Sequence, residues 1–183
     1  MIDLQAIIDR VGEVEPLAGR TRVLAIDGRA GVGKTTLAAE LGSRLAGSTV
    51  LAMDSVYPGW GGLAEGSERL VSDVLKPLAD GISAGIRSWD WQHDRELEWQ
   101  QLEIGELLIV EGAGSASQKA APFLSCVVWL EAEPALRRER ALNRDGQMFA
   151  THWDAWASQE DQLFARERPA ERADFRFNTG SDG

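Results

Sequence analysis

The chain has 183 residues, 44% hydrophobic and 26% charged, proportions that exclude wholesale disorder and suit one globular domain over residues 1–183. Its 19 basic residues stand against 29 acidic ones, a net charge of −10, which argues against a protein that grips a nucleic-acid backbone or an anionic membrane. No apolar run approaches a membrane span and the opening MIDLQAIIDRV carries acids where a leader needs bases, so the expected location is the cytoplasm.

Leu4, Ile7, Ile8 and Val11 recur at helical spacing, with Asp3 placed to cap and Gly12 to stop, which predicts a leading helix within residues 1–20. Residues 23–27 read as a buried strand that runs into a glycine-rich turn. Leu37, Leu41 and Leu45 mark a helix by their spacing of four, and residues 49–53 form a second strand that ends at Asp54. Four glycines in residues 58–66 predict an irregular, mobile loop over a site. The next helix carries the stripe Leu70, Val71, Val74, Leu75 and Leu78, and Pro77 kinks it or ends it early. Residues 86–91 make a weak strand, and residues 106–111 and 126–130 make strong ones. The one cysteine, Cys126, sits in the last of these as a buried structural residue and allows neither a disulfide nor a multi-cysteine metal site. Residues 134–144 and 149–168 read as lid and late helices, residues 175–178 as a short final strand, and the closing SDG as a frayed end. Buried-type strands alternating with amphipathic helices predict a three-layer α/β/α fold with a mostly parallel central sheet. Ligands of such sheets bind beyond the carboxyl ends of the strands, where Asp27, Asp54 and Glu111 fall.

Gly28-Arg29-Ala30-Gly31-Val32-Gly33-Lys34-Thr35 satisfies GxxxxGK[ST], after a strand and at the opening of a helix, as a phosphate-binding loop requires. Glycines at 28, 31 and 33 let successive N–H groups turn inward, and the helix beginning near Lys34 adds its positive end. The Lys34 ammonium is placed for the β- and γ-phosphates and the Thr35 hydroxyl for a magnesium ion. Thr36 continues the helix beside them as a largely structural residue, and Arg29 either touches phosphate or faces water. Asp27 reads as a turn-forming or loop-bracing acceptor. The chain lacks the guanine motif, since Asn143-Arg144-Asp145-Gly146 fails NKxD, and it lacks the LSGGQ-like signature of transport ATPases.

This loop, Asp54-Ser55-Val56-Tyr57, Trp89-Asp90-Trp91, Ile109-Val110-Glu111-Gly112 and an arginine helix with Arg137, Arg140 and Arg144 occur in the order of the uridine kinase-like branch of P-loop kinases. The chain resembles that branch, which also includes nicotinamide riboside and pantothenate kinases, over about residues 21–179. The resemblance implies a P-loop NTPase fold and an enzyme that uses ATP and Mg²⁺ to phosphorylate a hydroxyl of a small metabolite, with a nucleoside-like acceptor as first choice. It implies Asp54 as the group that takes the acceptor's proton and helps hold magnesium, Glu111 as the second acid near the metal, and the three arginines as a lid over the triphosphate. It places Tyr57, Trp89, Asp90 and His93 at the acceptor, and Asn178 and Thr179 near the adenine. The segment Trp89–Arg95 is about one residue shorter before His93 than the uridine kinase pattern.

The residues alone reach Asp54 and Glu111 by another route. Phosphoryl transfer needs a metal held by few carboxylates, a base for the acceptor and cations for the moving phosphoryl group. Each assignment has a plainer alternative: a turn residue for Asp54, a solvated loop acid for Glu111, a solvated basic face for the arginines, and strand packing for Trp89 and Trp91. Trp153 and Trp156 read as an apolar stripe against the sheet. Two other functions stay open: a kinase for a nucleotide or vitamin precursor, and a hydrolytic or non-catalytic nucleotide-binding protein that acts through a protein partner. Oligomeric state is not legible.

Overall fold

The computed structural model describes residues 2–180, so the expected frayed end at 181–183 lies outside the described residues. The chain runs α1 (Leu4–Glu13), β1 (Arg22–Gly28), α2 (Lys34–Arg44), β2 (Ser48–Ala52), α3 (Leu63–Arg69), α4 (Lys76–Ala79), β3 (Gly85–Asp90), β4 (Arg95–Gln101), β5 (Leu107–Glu111), β6 (Cys126–Glu131), α5 (Pro134–Glu167), α6 (Pro169–Arg172) and β7 (Phe175–Asn178). Five strands form one sheet in the order β2-β5-β1-β6-β7, and every pairing in it is parallel.

The alternation of side chains along β1 explains the three layers. Leu24 and Ile26 face one side, where they pack with Ile7 and Val11 of α1 and Leu37 and Leu41 of α2. Val23 and Ala25 face the other, where Leu70, Val74, Trp153, Trp156 and Leu163 cover the sheet. A strand buried on both faces is apolar throughout, which is why β1, β5 and β6 are the most legible strands in the sequence. Cys126 is buried within β6, and burial pushes its thiol up to about 12, so it is inert packing.

Two expectations need correction. The strand β4 has no counterpart in the sequence reading, because RELEWQQ is polar and almost wholly exposed; it pairs antiparallel with β3 in a separate two-stranded sheet. Residues 58–66 are not one irregular loop, since α3 already begins at Leu63. Gly66 lies inside that helix, where a Cβ would come within 2.4 Å of the Tyr57 ring. The apolar helix is irregular before Pro77 and ends soon after it: a π-helical stretch, Leu70–Leu75, leads from α3 into α4, a four-residue helix that carries Pro77 and stops at Ala79. The two late helices lie on either side of Gly146, as expected, within the run Pro134–Glu167, and the φ of 66° at that glycine marks the break between them. No helix among the described residues is long and apolar enough to cross a membrane.

Candidate active site

The turn between β1 and α2 passes through left-handed conformations at Gly31 (φ 82°) and Gly33 (φ 91°). A Cβ at Gly31 would lie 2.1 Å from the carbonyl oxygen of Arg137, so the loop abuts the start of α5 with no room for a side chain. The Lys34 ammonium is folded over the loop and donates to the Arg29 carbonyl at 2.9 Å. Below the loop, the fully buried Asp27 carboxylate accepts N–H bonds from Gly28 (2.7 Å), Gly114 (2.9 Å) and Ala116 (2.9 Å). Asp27 thus ties the loop to the turn after β5, the bracing role expected of it. Burial pushes its carboxyl up to about 6, although these three donors and Lys34 pull the other way.

Strand register brings the acids to this loop. Ala52 and Ile26 both pair with Glu111, so the carboxyl ends of β2, β5 and β1 lie side by side. Asp54 follows β2 in a single 3-10 turn, Met53–Ser55. The Thr35 hydroxyl donates to Glu111 Oε1 at 3.0 Å. Burial raises the Glu111 carboxyl above its ordinary value; Lys34 opposes this and the negative charge of Asp54 adds to it. Two carboxylates and a hydroxyl are hard oxygen donors, the share that Mg²⁺ takes from a protein when substrate phosphates and water supply the rest, so the donor set fits the ion.

Loop and acids open into a cleft of about 310 Å³. One end is formed by the glycine-rich loop residues Ala30, Gly31, Gly33, Lys34 and Thr35, with Asp54 and Glu111 beside them. The opposite end is aromatic: Tyr57, Trp60, Trp91, Phe149 and Trp156. These rings brace one another, with Trp60 against Trp91 (4.9 Å between centroids, 63°), Trp60 against Phe149 (5.5 Å, 26°) and Tyr57 against Trp156 (5.0 Å, 70°). His152 stacks on Trp60 at 4.3 Å.

Between the two ends lies Glu160, fully buried although it carries a carboxylate. Its Oε1 accepts the Ala30 N–H at 2.7 Å and the Trp156 indole N–H at 3.1 Å. Its Oε2 accepts no hydrogen bond and lies 3.9 Å from Arg137 and 4.0 Å from Arg29. Burial raises this carboxyl, against the pull of Lys34, the Ala30 N–H and the two arginines. Sequence reasoning missed Glu160 and Trp60, and took Trp156 for packing alone. The available signal was an acid four residues after Trp156 and four before Phe164, on the face that an apolar stripe occupies.

The arginines of α5 share a face but not a destination. Arg137 is buried against the loop, 3.4 Å from the Ala30 carbonyl, and Arg140 donates to the Thr179 carbonyl at 3.0 Å; only Arg144 lines the cleft. The start of the helix lies against the glycine-rich loop, so its first arginine is absorbed there. Arg29 points outward to Asp161 at 2.7 Å, over the ring of Phe164. The acceptor residues expected on β3 are also redistributed. Trp89 packs over Gly59, and the exposed His93 is hydrogen-bonded to Asp90 at 2.8 Å, which holds the Asp90 carboxyl below its ordinary value. None of Trp89, Asp90 and His93 lines the cleft, whereas Trp91 does and donates its indole N–H to the Asp54 carbonyl at 3.1 Å. Tyr57 lines the cleft, with its hydroxyl given to the Ala113 carbonyl at 2.8 Å. A second cavity, about 550 Å³, lies along the outer side of the loop between Val32, Thr36, Leu37, Arg140, Arg144 and Thr179.

No family model matches the chain, and no curated protein matches it. Among solved structures it is similar to a possible uridine kinase from Bacillus stearothermophilus, at 24% identity and a TM-score of 0.67 over 95% of this chain and 96% of that one. It is similar to a candidate fructose transport system kinase from a Silicibacter species, at 21% identity and a TM-score of 0.61 over 97% and 100% of the two chains. A Saccharomyces cerevisiae protein described as a circularly permuted P-loop kinase candidate aligns over 100% of both chains, with 10% identity and a TM-score of 0.58. At these identities the likeness is one of fold alone: a three-layer α/β/α architecture with a parallel central sheet.

Proposed function

We propose that the chain is an ATP-dependent phosphotransferase that moves the γ-phosphoryl group to a hydroxyl of a small metabolite. The observation that carries this reading is the two-ended cleft, which sets the phosphate loop and two carboxylates at one end and an aromatic wall at the other. A protein that only hydrolysed or sensed ATP would need the first end and not the second.

The roles follow from position. The loop N–H groups and Lys34 receive the donor's phosphates, and the outer cavity between Thr36 and Thr179 receives the rest of the nucleotide. Thr35, Glu111 and Asp54 would hold Mg²⁺, which would supply charge neutralisation for the phosphates. The acceptor oxygen attacks the γ-phosphorus, the bond to the β-phosphate's bridging oxygen breaks, ADP leaves, and the hydroxyl proton passes to the Asp54 carboxylate. Arg144, on the cleft side of α5, offsets charge on the transferring group, and the aromatic end holds the acceptor's body and excludes the water that would compete with it.

A nucleoside-shaped acceptor suits this division, with a sugar hydroxyl toward Asp54 and a ring against the aromatic end. Its recognition then falls to Tyr57, Trp60, Trp91 and Trp156 rather than to Asp90 and His93. Measuring ADP release with and without added acceptor tests the assignment: stimulation by an alcohol supports transfer, and release indifferent to every acceptor contradicts it.

A further inference from the structure

We infer that the leading segment of the chain is part of the nucleotide site: Ile2 and Leu4, at the start of α1, form the outer wall against which the base of the donor lies. The inference rests on the kinase reading for the presence of a donor nucleotide, and its test separates the two.

The first observation is continuity. The outer cavity and the main cleft share Gly31, Gly33, Thr35 and Arg144, so they are two sides of one loop. Asp54 and Glu111 line the cleft and not the outer cavity, which places the reacting end of a triphosphate on the cleft side. The other end of the donor therefore leaves past Thr35 and Thr36 at the start of α2. The space on that side is the outer cavity, whose 550 Å³ or so is of the size that holds a small organic ligand.

The second is the division of polarity within that cavity. The loop and α2 supply the hydroxyls of Thr35 and Thr36, whereas the leading segment supplies only the aliphatic side chains of Ile2 and Leu4. A nucleotide is divided in the same way, with charge and hydroxyls at its phosphates and sugar and a flat, weakly polar face on its base.

The third is the way α1 is held. Ile7 and Val11 are buried in one cluster with Leu24 and Ile26 of β1 and Leu37 and Leu41 of α2, which fixes the helix to the sheet. Ile2 and Leu4, before those anchors, are only half-buried at the cavity. Apolar side chains held in place with surface still open to water gain by giving that surface up to a ligand. The end of the helix has no comparable claim on the phosphates, because the Asp3 carboxylate caps it by accepting the Ala6 N–H at 3.0 Å. What α1 brings to the cavity is therefore apolar surface for the base.

Calorimetric titration of the whole protein with ATP and with inorganic tripolyphosphate, both with magnesium, tests this. Ile2→Ser and Leu4→Ser are each expected to weaken ATP binding about fivefold and to leave tripolyphosphate binding unchanged. Hydrogen exchange on the wild-type protein needs no variant: ATP is expected to slow the amides of Ala6 to Ile8 at least about threefold beyond what saturating tripolyphosphate does. ATP affinity unchanged in the variants, or ATP and tripolyphosphate weakened alike, overturns the inference and leaves the kinase reading intact. If neither variant folds, equal protection by the two ligands overturns it in the same way. Base-dependent binding through Ile2 and Leu4 without acceptor-stimulated ADP release keeps this inference and removes the kinase reading. Failure of ATP to bind removes both.

Discussion

Glu160, far along α5, accepts the backbone N–H of Ala30 in the phosphate loop at 2.7 Å, across 130 residues of sequence. Because the same oxygen also takes the Trp156 indole N–H, one carboxylate joins the two ends of the cleft. The loop is therefore held from both sides, by Asp27 beneath it and Glu160 beside it.

Removing that carboxylate leaves the Ala30 N–H without its acceptor and the buried Arg137 guanidinium without its nearby countercharge. Glu160→Ala is expected to destabilise the protein by about 3 kcal/mol in urea unfolding, and Glu160→Gln, which keeps an acceptor oxygen, by less than half as much. Equal stability of both variants and wild type would show that the contact does not hold the loop.

Asp54 stands at the carboxyl end of β2 in the cleft, and its proposed task is to take the acceptor's proton. Asp54→Asn should still bind ATP in an equilibrium titration and lose transfer by at least ~10². Transfer at the wild-type rate in that variant returns Asp54 to the role of a turn residue.

The arginines of α5 should separate by measurement as they do by position. Arg144→Ala is expected to lower acceptor-dependent turnover by roughly 10²-fold with an unchanged melting temperature. Arg137→Ala, which empties a buried position against Ala30 and Glu160, should instead lower the melting temperature. A reversed pattern would place the triphosphate on the wrong side of the helix.

Most of the loop end of the cleft was legible because its residues are local. The loop is eight consecutive residues, and Asp54 and Glu111 announce themselves by ending apolar strands. The aromatic end is assembled from Phe149, Trp156 and Glu160, which share helical spacing on α5, and from Trp60 and Trp91, which no spacing rule relates to them; they meet only because α5 crosses back over the turn after β2. Asp90 and His93 do not line this cleft, and two polar neighbours three residues apart satisfy each other as readily as they reach a ligand. The strand β4 was invisible because pairing with β3 in an exposed hairpin demands no apolar alternation.

Asp27 predicts a pH dependence. Its carboxyl lies at about 6 when folded against an ordinary 3.8, so between these values the unfolded chain is ionised while the folded protein holds the proton. Its contribution is then fully present below about pH 4 and is lost as pH rises through about 6, by up to about 3 kcal/mol. The stability gap between wild type and Asp27→Asn should narrow across that window and stay level above it; a gap that widens with pH would mean that the bonds to Gly28, Gly114 and Ala116 outweigh burial.

The central claim is acceptor-dependent phosphoryl transfer, and ADP release with magnesium-ATP measures it most directly. The panel holds nucleosides, nucleoside monophosphates and vitamin precursors, beside a control without acceptor. The account predicts that at least one alcohol raises release above the control, and that Lys34→Ala, folded as wild type, abolishes the increase. Release that no acceptor raises, or that survives unchanged in Lys34→Ala, would contradict it.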